Sequence, residues 1–119
     1  MAKILLAEED EFISCMINMR LTLCNHQVEH ASNGLQALEK APGGDYDLVL
    51  MDMHMPVVDG HEATRRLRET GYTGLIVAVT ASVMSADSDK ALNSGCDAYI
   101  SKPIGTDFED RIEALLKPS

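Results

Sequence analysis

Glu8, Glu9 and Asp10 open a run of four acids that ends at Glu11, and another acid, Asp52, closes the apolar run at residues 48–51 inside "LVLMDMHMPVVDG". The chain then turns through Pro56 and Gly60 instead of continuing as a strand. Thr80 ends another apolar run, and Lys102 with Pro103 follows a third. Carboxylates brought within about 4–5 Å of one another repel by several kcal/mol at an effective dielectric of about 20, so such a group must hold protons or bind a cation. Oxygen-only ligands on a watered edge suit magnesium, which keeps several waters and takes one or two carboxylates plus a phosphate oxygen. A carboxylate is also a competent nucleophile toward phosphorus, forming an aspartyl phosphate. The Lys102 ammonium and the Thr80 hydroxyl would then balance charge on the phosphoryl oxygens in the transition state.

Those groups are far apart in sequence, so the elements between them must bring them together. "KILLA" is a short apolar run without polar alternation, as in a strand covered on both faces. "FISCMINMRLTLC" has apolar residues at Phe12, Ile13, Met16, Ile17 and Leu21, the spacing of a helix face. "QVEHAS" then predicts a strand, "NGLQALEKA" a helix stopped by "PGG", and "DLVLM" a buried strand. "GHEATRRLRET", "SADSDKALNSG" and "FEDRIEALLK" predict helices, separated by the strands "LIVAVT" and "DAYI". Strict alternation of strand and helix predicts one α/β domain over residues 1–119, a parallel five-stranded sheet with helices on both faces. Ligands of such sheets lie beyond the carboxyl ends of the strands, where Glu8, Glu9, Asp10, Asp52, Thr80 and Lys102 all fall.

Composition narrows the partners. Nineteen Asp and Glu against ten Lys and Arg give a net charge of −9, and no basic block is longer than "RRLR", so nucleic acid is excluded as a direct partner. No apolar stretch approaches the roughly 20 residues of a membrane span and no signal-peptide pattern opens the chain, so a cytoplasmic location without membrane insertion is expected. Cys15, Cys24 and Cys96 are odd in number and form no C-x-x-C pair, as reduced core thiols would be. His26 and His30 in "HQVEH" have ligand-like spacing, but the alternation there predicts a solvated strand face. The seven methionines are expected as core filler, and "TRRLR" as a solvated helix face.

Taken together and in order, "LLAEEDE", "LVLMDMHMPVVDG", "AVTAS" and "DAYISKPI" resemble the receiver domains of two-component response regulators, over nearly the whole chain. The wording "MDMHMP" and "YISKPI" is similar both to receivers of hybrid histidine kinases and to stand-alone receivers. The resemblance implies a flavodoxin-like (βα)5 fold with strand order 2-1-3-4-5. It implies that Asp52 accepts a phosphoryl group from the phosphohistidine of a histidine kinase or a histidine phosphotransfer protein. Glu9 and Asp52 would ligate Mg2+, with Glu8 acting through water and the backbone carbonyl of His54 completing the protein ligands. Thr80 and Lys102 would hold the phosphoryl oxygens, and Tyr99 would swing inward as Thr80 moves. The surface of the fourth helix, fifth strand and fifth helix would then change its affinity for an effector protein. The resemblance also implies a cis peptide at Lys102–Pro103. Catalysis would be confined to the domain's own phosphorylation and dephosphorylation.

One position departs from the pattern: receivers carry aspartate at the direct metal position, and here it is Glu9, longer by a methylene. That departure supports an alternative, a receiver-like interaction module that works without phosphorylation. His54 and Ser82 occupy positions that set acyl-phosphate lifetime in the resembled family. A flavin-binding domain would share the architecture but would want a Ser/Thr/Gly-rich phosphate loop where "EEDE" stands. An aspartate-nucleophile phosphatase commonly carries a second acid two residues on, where this chain has His54.

Overall fold

A computed structural model of the chain describes residues 2–55, 57–80, 94–101 and 104–116. Five strands, β1 (Lys3–Ala7), β2 (Gln27–Ala31), β3 (Leu48–Asp52), β4 (Ile76–Thr80) and β5 (Ala98–Ser101), form one sheet in the order β2-β1-β3-β4-β5. Every neighbouring pair is parallel. The described helices are α1 (Glu11–Leu23), α2 (Gly34–Lys40), α3 (Gly60–Glu69) and α4 (Phe108–Leu116), with a 3-10 turn at Ala41–Gly43 after α2. The helix expected over "SADSDKALNSG" lies outside the described residues except at its last two positions.

The uninterrupted apolar strands have the physical reason expected of them: alternate residues feed two cores. Leu5, Val49, Met51, Ile76 and Ala78 pack on Ala37 of α2 and Ala63 and Leu67 of α3. Ile4, Leu6, Leu48, Leu50, Val77 and Val79 pack on Ile17 and Leu21 of α1 and Phe108 and Ile112 of α4. Three helices begin on an acid or amide whose side chain accepts a backbone N–H: Asp10 from Ile13, Asn33 from Gln36 and Asp59 from Glu62. Each such cap is worth about 1 kcal/mol and fixes where a strand-to-helix loop ends.

Several sequence expectations are corrected. Phe12 does not lie on the buried face of α1 but is 79% exposed; Ser14, Ile17 and Leu21 form that face. Cys15 is exposed and Cys24 half-buried, so only Cys96 is a core thiol. His26 is not on a solvated face. It is buried, its Nδ1 accepts the Ala2 N–H at 3.1 Å, and its Nε2 therefore donates to Glu113 at 2.7 Å. Within "TRRLR", Arg65 and Arg66 are exposed and paired with Glu62, but Arg68 is half-buried and donates to the carbonyls of Gly95, Tyr72 and Gly74. Met51, Met53 and Met55 are buried as expected, whereas Met19 is exposed. No helix among the described residues is long and apolar enough to cross a membrane.

Candidate functional site

Strand register brings the separated acids to one edge. Ala7 is the partner of Met51, so Glu8 follows on from β1 beside the Asp52 that ends β3. Asp52 is the partner of Val79, and Thr80, the next residue of β4, is the partner of Ser101 on β5. Glu8, Asp52 and Thr80 are 1%, 3% and 1% exposed, which is deep for two carboxylates. Burying such groups is costly unless donors or a cation meet them.

The loop after Asp52 holds its carboxylate in place. Oδ1 accepts the N–H of His54 at 3.0 Å, while the Met53 N–H donates to the Val79 carbonyl and ties the loop to β4. Gly60, the first residue of α3, then donates its N–H to the Met53 carbonyl at 3.1 Å. A methyl group at Gly60 would stand 2.2 Å from the Asp52 carbonyl oxygen, so only glycine lets the helix start this close to the strand end. Between them Val57, 74% exposed, holds a φ of 69°, the left-handed region that a β-branched residue rarely adopts.

The first three acids of the run have three different fates. Glu8 prolongs the β1–β2 ladder, its N–H donating to the Ala31 carbonyl at 3.0 Å, and turns its side chain inward, where Oε2 accepts the Asp10 N–H. Glu9 is exposed and Asp10 is spent on capping α1. The Glu8 backbone carbonyl accepts a hydrogen bond from His30 Nε2 at 2.6 Å. His54 is exposed beyond Asp52, and Tyr99 is 38% exposed on β5. Lys102, Ser82 and the Lys102–Pro103 peptide lie outside the described residues.

The donor set fits magnesium. It offers buried and exposed carboxylates and a loop carbonyl, with no soft ligand, which are the ligand types a hard cation takes. Among the described residues, no three His, Cys, Asp or Glu side chains are grouped to hold a metal by themselves. A preformed cage of side chains is not what magnesium requires, since it takes one or two carboxylates and fills its octahedron with water. His30 lies exposed on β2 as expected, but its bond to the Glu8 carbonyl and the contact between Gly60 and the Asp52 carbonyl had no counterpart in the sequence reading. His30 stands near the carboxyl end of β2, on the same edge of the sheet as Glu8 and Asp52.

The fold is that of a flavodoxin-like domain with an acidic edge at the carboxyl ends of its strands, and comparison with known proteins gives its family. The response regulator receiver domain family matches residues 4–115. The chain belongs to that family, and so is a receiver domain of two-component phosphorelay signalling. It is 41% identical over 108 residues to the two-component response regulator ORR41 of Oryza sativa subsp. japonica, spanning 87% of this chain and 85% of that one. It is also 41% identical over 107 residues to hybrid signal transduction histidine kinase G of Dictyostelium discoideum, but there 86% of this chain spans only 3% of the kinase. Among solved structures, a Francisella response regulator receiver domain superposes with a TM-score of 0.91 at 26% identity, covering 98% of this chain and 97% of the other. The receiver domain of the Pseudomonas aeruginosa sensor histidine kinase PA1611 has a TM-score of 0.84 at 32% identity, covering 97% and 93% of the two chains. That structure has a magnesium ion coordinated in its active-site cleft.

Proposed function

We propose that Asp52 is the phosphoacceptor of this receiver, taking a phosphoryl group from the phosphohistidine of a histidine kinase or a histidine phosphotransfer protein. The observation that carries this reading is the burial of Asp52 at the end of β3, beside the equally buried Glu8 and Thr80. A carboxylate oxygen of Asp52 attacks phosphorus, the donor's P–N bond breaks, and its electron pair returns to the imidazole nitrogen. The His54 N–H fixes the plane of the carboxylate, so little reorganisation is needed to reach an in-line geometry. Thr80 places a hydroxyl at the same edge to donate to a phosphoryl oxygen, and Lys102 brings the balancing positive charge. Glu9, Asp52 and the His54 carbonyl would hold magnesium, with Glu8 acting through water, and magnesium held there would supply charge neutralisation at the phosphoryl oxygens.

The output is a population shift. Thr80 drawn toward the new phosphoryl group leaves room for Tyr99, which stands 38% exposed, to turn inward and alter the surface around β5 that an effector protein meets. The domain acts as a single unit, and its catalysis is limited to its own phosphorylation and hydrolysis of its own acyl phosphate.

Intact mass after incubation with a small phosphodonor tests the reading. A magnesium-dependent gain of one phosphoryl group, absent in Asp52→Asn, is the expected result. No gain, with a control receiver reacting in the same tube, refutes the reading and favours a phosphorylation-independent interaction module, the alternative that Glu9 supports.

A further inference from the structure

We propose that His30, on edge strand β2, is a positioning residue for the metal side of this site, setting the peptide plane from which Glu9 departs. The inference rests on Glu9 as a magnesium ligand and goes beyond it.

Both backbone polar groups of Glu8 are held by β2. The Glu8 N–H donates to the Ala31 carbonyl at 3.0 Å, and the Glu8 carbonyl accepts from His30 Nε2 at 2.6 Å. A carbonyl only accepts, so Nε2 carries the hydrogen and the ring acts as a fixed donor. His30 is itself anchored, since its own carbonyl accepts the Lys40 ammonium at 2.7 Å. The carbonyl of Glu8 and the N–H of Glu9 belong to one rigid plane. Orienting that carbonyl therefore orients the N–Cα bond of Glu9 and narrows the directions open to its carboxylate.

The grip matters at this position more than elsewhere. Glu8 is buried and Glu9 exposed on consecutive residues, and rotation of the peptide between them would exchange neither side chain cleanly but would misdirect both. A glutamate has one more rotatable bond than an aspartate, so its carboxylate samples a wider volume from the same backbone. Fixing the backbone restores part of the aim that the longer side chain gives up. Outer-shell groups that orient metal ligands have effects of this kind, about 10–100-fold in affinity when removed. His30 is exposed, so its substitution leaves the two hydrophobic cores in place and separates aim from stability.

The test is Mg2+ binding to the unphosphorylated full chain by isothermal titration calorimetry, with urea unfolding of each variant in chelator. His30→Phe keeps a planar ring and loses the donor; His30→Gln keeps an amide N–H able to reach the carbonyl. The expected result is Mg2+ affinity about tenfold weaker in His30→Phe, affinity within about twofold of the native chain in His30→Gln, and unchanged urea midpoints in both. Native affinity in His30→Phe overturns the proposal while leaving the ligand assignment intact. Equal loss in both variants, accompanied by a falling urea midpoint, overturns it in favour of a plain structural role. Glu9→Gln is run alongside: if it binds Mg2+ like the native chain, Glu9 is no ligand, and both readings fall together.

Discussion

Gly60→Ala is the substitution that most directly joins the fold to the site. The added methyl would lie 2.2 Å from the Asp52 carbonyl oxygen and 2.7 Å from Met53 Cα, both backbone atoms that cannot swing aside. Non-bonded carbon atoms settle at about 3.5–4 Å, so the start of α3 must withdraw from the end of β3 by about 1 Å. Overpacking of this kind costs about 1–3 kcal/mol. Loss of the Gly60 N–H bond to the Met53 carbonyl adds about 1 kcal/mol, and the better helix propensity of alanine returns at most about 1 kcal/mol. The net is a loss of about 2 kcal/mol, or a fall in Tm of about 6–12 °C for a domain of this size. Urea unfolding followed by circular dichroism measures the first quantity, and a thermal scan the second. Because the strain falls on the carbonyl of Asp52 itself, phosphorylation read by intact mass should slow by about tenfold or more, the response expected when reacting atoms are misplaced by about 1 Å. A variant within about 0.5 kcal/mol of the native chain, phosphorylated at the native rate, would refute the close-approach argument.

Two further perturbations probe the frame around the site. Val57→Gly relieves a left-handed backbone that costs about 1–2 kcal/mol in an L-residue, against about 0.4–1 kcal/mol of added unfolded-state entropy, and should raise stability by about 0.5–1 kcal/mol. A lower urea midpoint in that variant would show that the 74% exposed side chain makes a contact worth more than the strain. Tyr46 is pushed up to about 12, first by burial and then by its hydrogen bond to the Glu29 carboxylate. Its folded value lies above the unfolded one of about 10, so its contribution is whole below pH 10 and is lost as pH rises toward 12. Burial also raises Tyr72, so phenolate absorbance should show more than one late-ionising tyrosine, with one of them lost in Tyr46→Phe, and a Tyr46 that titrates with the unfolded chain would contradict the burial argument.

Much of this was legible in the chain because parallel strands covered on both faces leave an unmistakable trace. "KILLA", "LVLM" and "IVAVT" have no polar phase to misjudge, and the turn after each points to the same edge. The face of α1 was less legible, since Phe12, Met16, Met19 and Leu23 put apolar residues on several sides and leave its phase to tertiary packing. Nor could three adjacent acids be assigned their separate fates from sequence. What sends Glu8 inward and leaves Asp10 to cap a helix is a bond from Glu8 to Ala31 and the place where α1 begins. His26 was misjudged for a similar reason, because its partners, Ala2 and Glu113, lie 24 and 87 residues away in the chain.

The strand order carries a consequence for how the molecule is made. β2 docks on one side of β1 and β3 on the other, then β4 adds to β3 and β5 to β4. Every strand after the first joins an edge that is already open, and none has to be inserted between two established neighbours. A chain emerging from its N-terminus can therefore extend the sheet in the order of its own synthesis. Glu8, Glu9 and Asp52 all belong to the first 52 residues, so the acidic half of the edge is in hand before Thr80 has been made. Until β4 arrives, the apolar β3 is the open edge of the nascent sheet, and Asp52 at its end lacks the neighbour that the register supplies in Val79.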